Sequence, residues 1–279
     1  HYLCAGEPRS SERCTYCSYS EHLPRLSYIK RGRTLTDFIL PILFCGVAFL
    51  YSSVGLGGGS SYTALMAIFG ISFHIIPTTS LTLNLIVTFI GMINFWRKGF
   101  GRLDLVSPFL VTSIPMAYLA GTLKLPEGVF QILLLTTLIF VVIRIYAFKD
   151  LRFSFRLSGV PKWILIFGLG AVLGFVAGSV GIGGGVYLVP LIIMFGLGSE
   201  KEAVAAGTLF VWVNSLAGVI AKQAETFNID FILPLAGAVI VGGFGGSYLG
   251  SAKYKAKTIQ RVMGIIIIVA IGLLLRKML

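Results

Sequence analysis

A glycine-rich stretch constrains this chain more than any other feature, because it occurs twice inside long apolar runs. Residues 55–61 read GLGGGSS and residues 181–187 read GIGGGVY, 126 residues further along the chain. The same offset relates Asp104 to Asp230. In hydrocarbon, non-helical backbone is tolerated only where protein buries it or where it lines a cavity. Two repeated halves, each with a glycine-broken apolar segment, are typical of a transporter with a central binding site.

The runs around both stretches are long enough to cross a membrane. No Asp, Glu, Lys or Arg occurs from Phe38 to Trp96 or from Trp163 to Ser199. Charged residues make up 12% of the 279 residues, whereas soluble domains contain about 25%. The mean hydropathy is +0.89, and a spanning helix needs about 20 apolar residues. The sequence therefore predicts an all-α polytopic protein of the plasma membrane, with lipid as its surroundings.

The formal net charge of +12 has an explanation that needs no nucleic acid. Basic residues fall mostly in short connections between apolar runs, as in WRKGFGR at residues 96–102. Cytoplasmic loops of membrane proteins carry such an excess of Lys and Arg. We therefore expect no nucleic-acid partner.

Four regions follow from these patterns. We predict a polar, cysteine-rich head at residues 1–33, a first membrane repeat at 34–148, a basic linker at 149–162 and a second membrane repeat at 163–279. The head contains His1, Cys4, Cys14 and Cys17 in the spacing H-x2-C-x9-C-x2-C. This spacing is typical of the two knuckles of a zinc ribbon, where four ligands meet tetrahedrally. A disulfide with one free thiol, or a tail with incidental cysteines, is the alternative; no cofactor is expected in the membrane part.

Two short apolar pieces, at residues 60–70 and 186–195, leave the number of membrane segments between eight and ten. Each reaches only about 15 Å as a helix, half of a bilayer. If both are re-entrant, each half crosses four times and the repeat is parallel. If both cross, each half has five segments and the repeat is inverted. The basic residues split 14 to 6 in the first case and 13 to 7 in the second, so charge does not decide.

A helix that starts inside the membrane presents unpaired N–H groups and the positive end of its dipole, which suits an anion. The glycines allow close approach of a ligand, and polar side chains on the long segments that follow would complete the site. The candidate substrate-binding residues are Gly57, Gly58, Gly59, Ser60, Ser61, Thr79, Ser80 and Asn84 in the first half, and Gly183, Gly184, Gly185, Tyr187, Thr208 and Asn214 in the second half.

Each of these side chains also has a purely structural interpretation. A Ser or Thr in a membrane helix commonly bonds to its own helix, whereas an amide at membrane depth needs partners. His74 is the one titratable group near the first glycine stretch, and it fits an interfacial position as well. The acidic residues lie in the head or near segment ends. Without a His, Asp or Glu cluster in the spans, we expect no enzyme.

The doubled G-x-G-G-G signature, followed by a short apolar piece and an Ala/Thr/Ser-rich long segment, resembles the sulfite exporter TauE/SafE family. The second copy, residues 181–190 with Ala205-Ala206-Gly207-Thr208, is the closer match; in the first copy Ala64 stands where the second has Pro190. The resemblance covers roughly residues 36–277. It implies a secondary transporter that exports a small sulfur-containing anion, sulfite or an organosulfonate. An anion channel, or a membrane scaffold for a metal or redox partner, is the alternative.

Small residues recur at a spacing of four in two segments, which lets helix backbones approach closely in lipid. The two series are Gly170, Gly174 and Gly178, and Ala238, Gly242, Gly246 and Gly250. We expect them to pack within the bundle; a homodimer interface is the alternative.

Overall fold

The structure is a computed structural model that describes residues 36–146, 160–222, 227–250, 264–265, 267–269 and 271–276. The head, with its predicted zinc ligands His1, Cys4, Cys14 and Cys17, and most of the linker lie outside these residues. All regular structure within the described residues is helical, including the described part of 264–276. The other helices are α1 (Thr36–Ser53), α2 (Gly59–Ile68), α3 (Ile76–Arg97), α4 (Leu103–Thr122), α5 (Glu127–Tyr146), α6 (Val160–Val180), α7 (Gly185–Met194), α8 (Glu200–Ala221) and α9 (Ile229–Gly250).

Five of these helices are long and apolar enough to cross a membrane, namely α3, α4, α6, α8 and α9. Shorter apolar helices accompany them at Phe38–Ser53, Glu127–Ile143 and Ile267–Arg276. The predicted all-α polytopic membrane class is therefore confirmed.

Helices α1, α3 and α9 run in the same direction. In each pair of these helices, the residue numbers of the contacting residues rise together along both helices, as they must when two helices are parallel. The pairs in contact are Cys45 with Gly242 and Phe49 with Gly246 between α1 and α9, and Val87 with Gly243 and Asn94 with Ser247 between α3 and α9.

Helices α4, α6 and α8 run in the opposite direction. Residue numbers rise together along the contacts of α4 with α6 and of α4 with α8, so these helices are parallel. Along the contacts of α3 with α8, residue numbers rise in one helix as they fall in the other, so these two helices are antiparallel. The pairs are Phe109 with Gly170 and Ala117 with Gly178 between α4 and α6, Leu105 with Gly198 and Gly121 with Gly218 at the two ends of α4, and Leu81 with Gly218 and Trp96 with Ala205 between α3 and α8.

These directions decide between the two chain paths. Because α1 and α3 are parallel, the chain must return through the bundle between them, and α2 lies on that return; α7 does the same between α6 and α8. Among the described helices, this arrangement favours the path in which both short pieces cross. The eight-crossing path would make α1 and α3 antiparallel, which does not fit their contacts with α9. Helices at corresponding positions in the two halves run in opposite directions.

The short helices begin in the middle of the bundle, where long helices surround them. Each contains 10 residues, which corresponds to about 15 Å. Gly58 and Gly184 precede them in the left-handed conformation, with φ of 85° and 76°, which disfavours any residue with a Cβ. Eight residues of α2 are buried. The helices start at Gly59 and Gly185, one residue earlier than predicted.

Candidate functional site

The two glycine stretches are in direct contact at the centre of the bundle. A Cβ added to Gly59 would lie 2.7 Å from the carbonyl oxygen of Gly181 and 2.8 Å from that of Ile182. A Cβ added to Gly185 would lie 3.7 Å from Leu56 Cδ2. These residues are buried. Only glycine allows the backbones to approach this closely, so the repeated motif serves the contact between the halves.

Asn84 of α3 lies between the two stretches and contacts both. Its Nδ2 donates to the Gly181 carbonyl oxygen at 3.2 Å. A Cβ added to Gly57 would lie 2.6 Å from Asn84 Oδ1, and one added to Gly183 would lie 3.1 Å from Asn84 Nδ2. The side chain is fully buried. The structure therefore places this predicted residue where the two glycine stretches, residues 55–61 and 181–187, meet. This contact between the stretches is the crossing.

Ser80, one turn before Asn84, joins the same carbonyl groups. Its hydroxyl donates to the Gly181 oxygen at 2.8 Å, and it also lies 3.3 Å from the Gly59 oxygen. Ser80 thereby ties the α3 helix to both glycine stretches at once.

Several buried polar atoms on α3 and α8 have no hydrogen-bond partner among the described residues. They are Thr79 Oγ1 and Asn84 Oδ1 on α3, and Asn214 Oδ1 and Ser215 Oγ on α8. Leaving a buried polar atom unsatisfied costs about 1–3 kcal/mol, so each such group calls for an explanation. A Cβ added to Gly183 would lie 3.5 Å from Ser215 Oγ, so this hydroxyl adjoins the second glycine stretch.

The first helix start is held by a tyrosine. Tyr51 of α1 places its hydroxyl 3.0 Å from Ser60 Oγ and 2.7 Å from Ser61 Oγ. The two predicted serines thus already have a buried partner. Neither helix start has a side-chain cap, and the first backbone bonds of α2 and α7 run from Ser61 to Gly58 and from Tyr187 to Gly184.

Other predicted side chains are engaged elsewhere. The Tyr187 hydroxyl donates to the Thr137 carbonyl oxygen of α5 at 3.0 Å. Thr208 bonds to the Ala205 carbonyl of its own helix at 2.7 Å, as membrane threonines commonly do. Asn214 Nδ2 likewise donates to Phe210 in its own helix at 2.8 Å, which leaves only its Oδ1 without a partner.

The prediction missed three residues at the crossing. Gly181 supplies the carbonyl that Ser80 and Asn84 share, Tyr51 holds the serines, and Val211 packs 2.6 Å from an added Cβ on Gly183. Tyr51 could have been identified from the sequence, because a hydroxyl in an otherwise apolar run needs a hydrogen-bond partner. Val211 could not, since an apolar residue is expected anywhere in a membrane helix.

Charged side chains stay away from the crossing in the described chain. Arg102 pairs with Asp104 and, at 3.4 Å, with Glu202, where α4 and α8 begin. Within the described residues no group of three or more His, Cys, Asp or Glu could hold a metal ion. The crossing is thus a neutral, polar site built from backbone, amides and hydroxyls.

Comparison with known proteins assigns the chain to a family. A protein-family model described as "Sulfite exporter TauE/SafE" matches residues 39–274. The probable membrane transporter protein y4hK of Sinorhizobium fredii is 33% identical over 235 residues, 83% of this chain and 95% of the relative. The probable membrane transporter protein YjnA of Bacillus subtilis is 28% identical over 257 residues, 84% of this chain and 97% of the relative. No solved structure gives a significant match. The chain belongs to the sulfite exporter TauE/SafE family of membrane transporters.

Proposed function

We propose that this chain is a secondary transporter that exports sulfite or an organosulfonate, and that the contact between the glycine stretches is its central site. The unpartnered polar atoms of Thr79, Asn84, Asn214 and Ser215 carry this proposal. These four buried groups without partners lie on the two helices that flank the glycine stretches. They lower the stability of the fold, and no contact in the described structure compensates for them. A polar substrate that satisfies some of them offsets that loss of stability.

The chemistry of the groups suits an oxyanion. The hydroxyls of Thr79 and Ser215 can donate to it, and so can the first N–H groups of α2 and α7, at the positive ends of two helix dipoles. Asn84 carries both an acceptor and a donor. Half a turn about its terminal torsion would exchange Oδ1 for Nδ2 and direct a donor toward Gly57.

Transport requires the crossing to open, because it is closely packed in this structure. The halves meet there through glycine backbone and through the bonds of Ser80 and Asn84 to Gly181. Such contacts are few and directional, so a small shift of the first repeat against the second separates them. Alternating access by movement of one repeat against the other is the usual mechanism of repeat-built transporters.

The test is transport of labelled sulfite and methanesulfonate in proteoliposomes that contain the full chain. Gly57 has no positive φ, so Gly57→Ala introduces no backbone strain, but its Cβ would displace the Asn84 amide. A steric cost of about 1–3 kcal/mol in the substrate-binding state corresponds to a loss of transport of about fivefold or more.

Gly46→Ala is the matched control, because an added Cβ there meets nothing within 4 Å. Normal transport by Gly57→Ala would refute the central site. Flux that never saturates with substrate concentration would indicate an anion channel instead of a transporter.

A further inference from the structure

A cavity with basic side chains lies at the end of the bundle where α3 begins and α4 and α8 end. Its volume is about 290 Å³. A cavity of about 10–15 Å³ already holds a water molecule, and small-ligand sites start near 300 Å³, so a small oxyanion with part of its hydration shell fits. His74, Lys124 and Lys222 line it, and no acidic residue of the described chain does.

Lys222 is the most enclosed of these cations. It follows the last residue of α8 and is half-buried. Burial lowers the pKa of Lys222, because a partly desolvated ammonium loses hydration energy. It forms no ion pair with any residue that the structure describes. Its position at a helix C-terminus is favourable for a cation, but that role does not require a cavity in front of it.

The cavity shares a wall with the central site. Pro77 and Ser179 line it, and a Cβ added to Gly181 would lie 2.9 Å from Pro77 Cα. On the other side of that wall, Ser80 and Asn84 bond to the Gly181 carbonyl. An anion in the cavity is therefore separated from the crossing by the backbone at Pro77 and Gly181.

We propose that this cavity is a vestibule that binds the transported oxyanion next to the central site, with the Lys222 ammonium as its main contact and Lys124 and His74 at its rim. The inference rests on the proposed function and extends it to a second site on the substrate path. The ligand chemistry is that of a small oxyanion with a sulfite or sulfonate group. A lipid phosphate headgroup shares this chemistry, so the experiment separates the two sources.

The experiment measures equilibrium binding of labelled sulfite and of phosphatidylglycerol to the purified full chain in detergent, and transport of sulfite by the same variants in proteoliposomes. Lys222→Gln should weaken sulfite binding about tenfold, the usual effect of losing a hydrogen bond to a charged group. With substrate supplied from the vestibule side, it should raise the half-saturating concentration for transport and leave the maximal rate unchanged. Lys222→Arg, which keeps the charge, should restore most of the binding and shows that the position tolerates substitution.

Lys201→Gln is the matched control, since Lys201 lies at the opposite end of α8, over the Phe100 ring. This variant should bind sulfite like the unaltered chain. If the unaltered chain transports sulfite but Lys222→Gln binds and transports it equally well, the vestibule is refuted and the proposed function stands. If Lys222→Gln weakens only the binding of phosphatidylglycerol, the cavity is a lipid site and the vestibule is again refuted. If the unaltered chain neither binds nor transports any sulfur oxyanion, the proposed function itself fails, and the vestibule fails with it.

Discussion

Asn84 shows how a single buried amide at the proposed central site can lower the stability of the fold. Its Nδ2 donates to Gly181, but its Oδ1 is buried without a partner among the described residues. The first contact contributes about 0.5–1.5 kcal/mol and the unsatisfied atom costs about 1–3 kcal/mol. The Gly181 carbonyl also keeps its bond from Ser80. In the absence of substrate, the Asn84 amide therefore contributes little or nothing to the stability of the fold.

Asn84→Leu tests this balance because leucine has a similar branched shape without polar atoms. We expect the thermal unfolding temperature in detergent to stay the same or rise, while transport of sulfite is lost. Thr82→Val is the control on the same helix, since Thr82 bonds only to the Thr78 carbonyl, and it should keep transport. Loss of stability together with transport in Asn84→Leu would show that Asn84 is a structural residue.

At the scale of helices, glycines set the closest contacts of the bundle. Gly170, Gly174 and Gly178 of α6 lie against the backbone of α4. Gly242 and Gly246 of α9 lie against α1 in the same way. These five glycines therefore pack within the chain, as the spacing of four predicts, and they are not available as a homodimer surface.

Gly174→Leu should destabilise the protein by separating α6 from α4, because its side chain would meet the backbone at Ser113 rather than a movable side chain. Overpacking of this kind costs about 1–3 kcal/mol or more, which is visible as a lower unfolding temperature in detergent. Gly168→Leu, on the same helix, is the control, since its added Cβ meets nothing within 4 Å. Equal unfolding temperatures for the two variants would contradict the packing of α6 on α4.

For the whole molecule, helix direction and charge together suggest an orientation. By sequence order, a ten-segment path assigns thirteen Lys and Arg of residues 30–279 to the connections on the side where α5 ends and α6 begins, and seven to the other side. The positive-inside rule makes the first side cytoplasmic. The cavity at Lys222 then faces outside, where an exporter releases its substrate. This path places residue 36 and the linker at opposite ends, so they cannot both be cytoplasmic.

Single cysteines in a background without the four native ones test the orientation. A membrane-impermeant maleimide should label Leu123→Cys, beside the cavity, in intact cells. It should label Ser158→Cys, in the linker sequence, only after the cells are permeabilised. Labelling of both from one side would contradict the helix directions; the reverse pattern would contradict only the orientation inferred from charge.

The sequence by itself determined the membrane class, the positions of the helices and the importance of the doubled glycine stretch. These features are local: apolar runs must be helical in lipid because their backbone groups need partners within the segment, and glycine alone allows the left-handed turns at Gly58 and Gly184. The family followed from the same stretches. Hydropathy and glycine spacing therefore suffice for the elements and indicate where the candidate site lies.

The directions of the helices and the partners of the candidate site residues are visible only in the tertiary structure. A helix of ten residues can return to either side of the membrane, and the parallel packing of α1 and α3 on α9 determines which. The same holds for polar side chains. Asn84 and Thr208 both looked like site residues, but Asn84 faces the glycine backbones of both halves whereas Thr208 bonds to its own helix. Which partner a side chain finds depends on residues distant in sequence, and a local pattern contains no information about them.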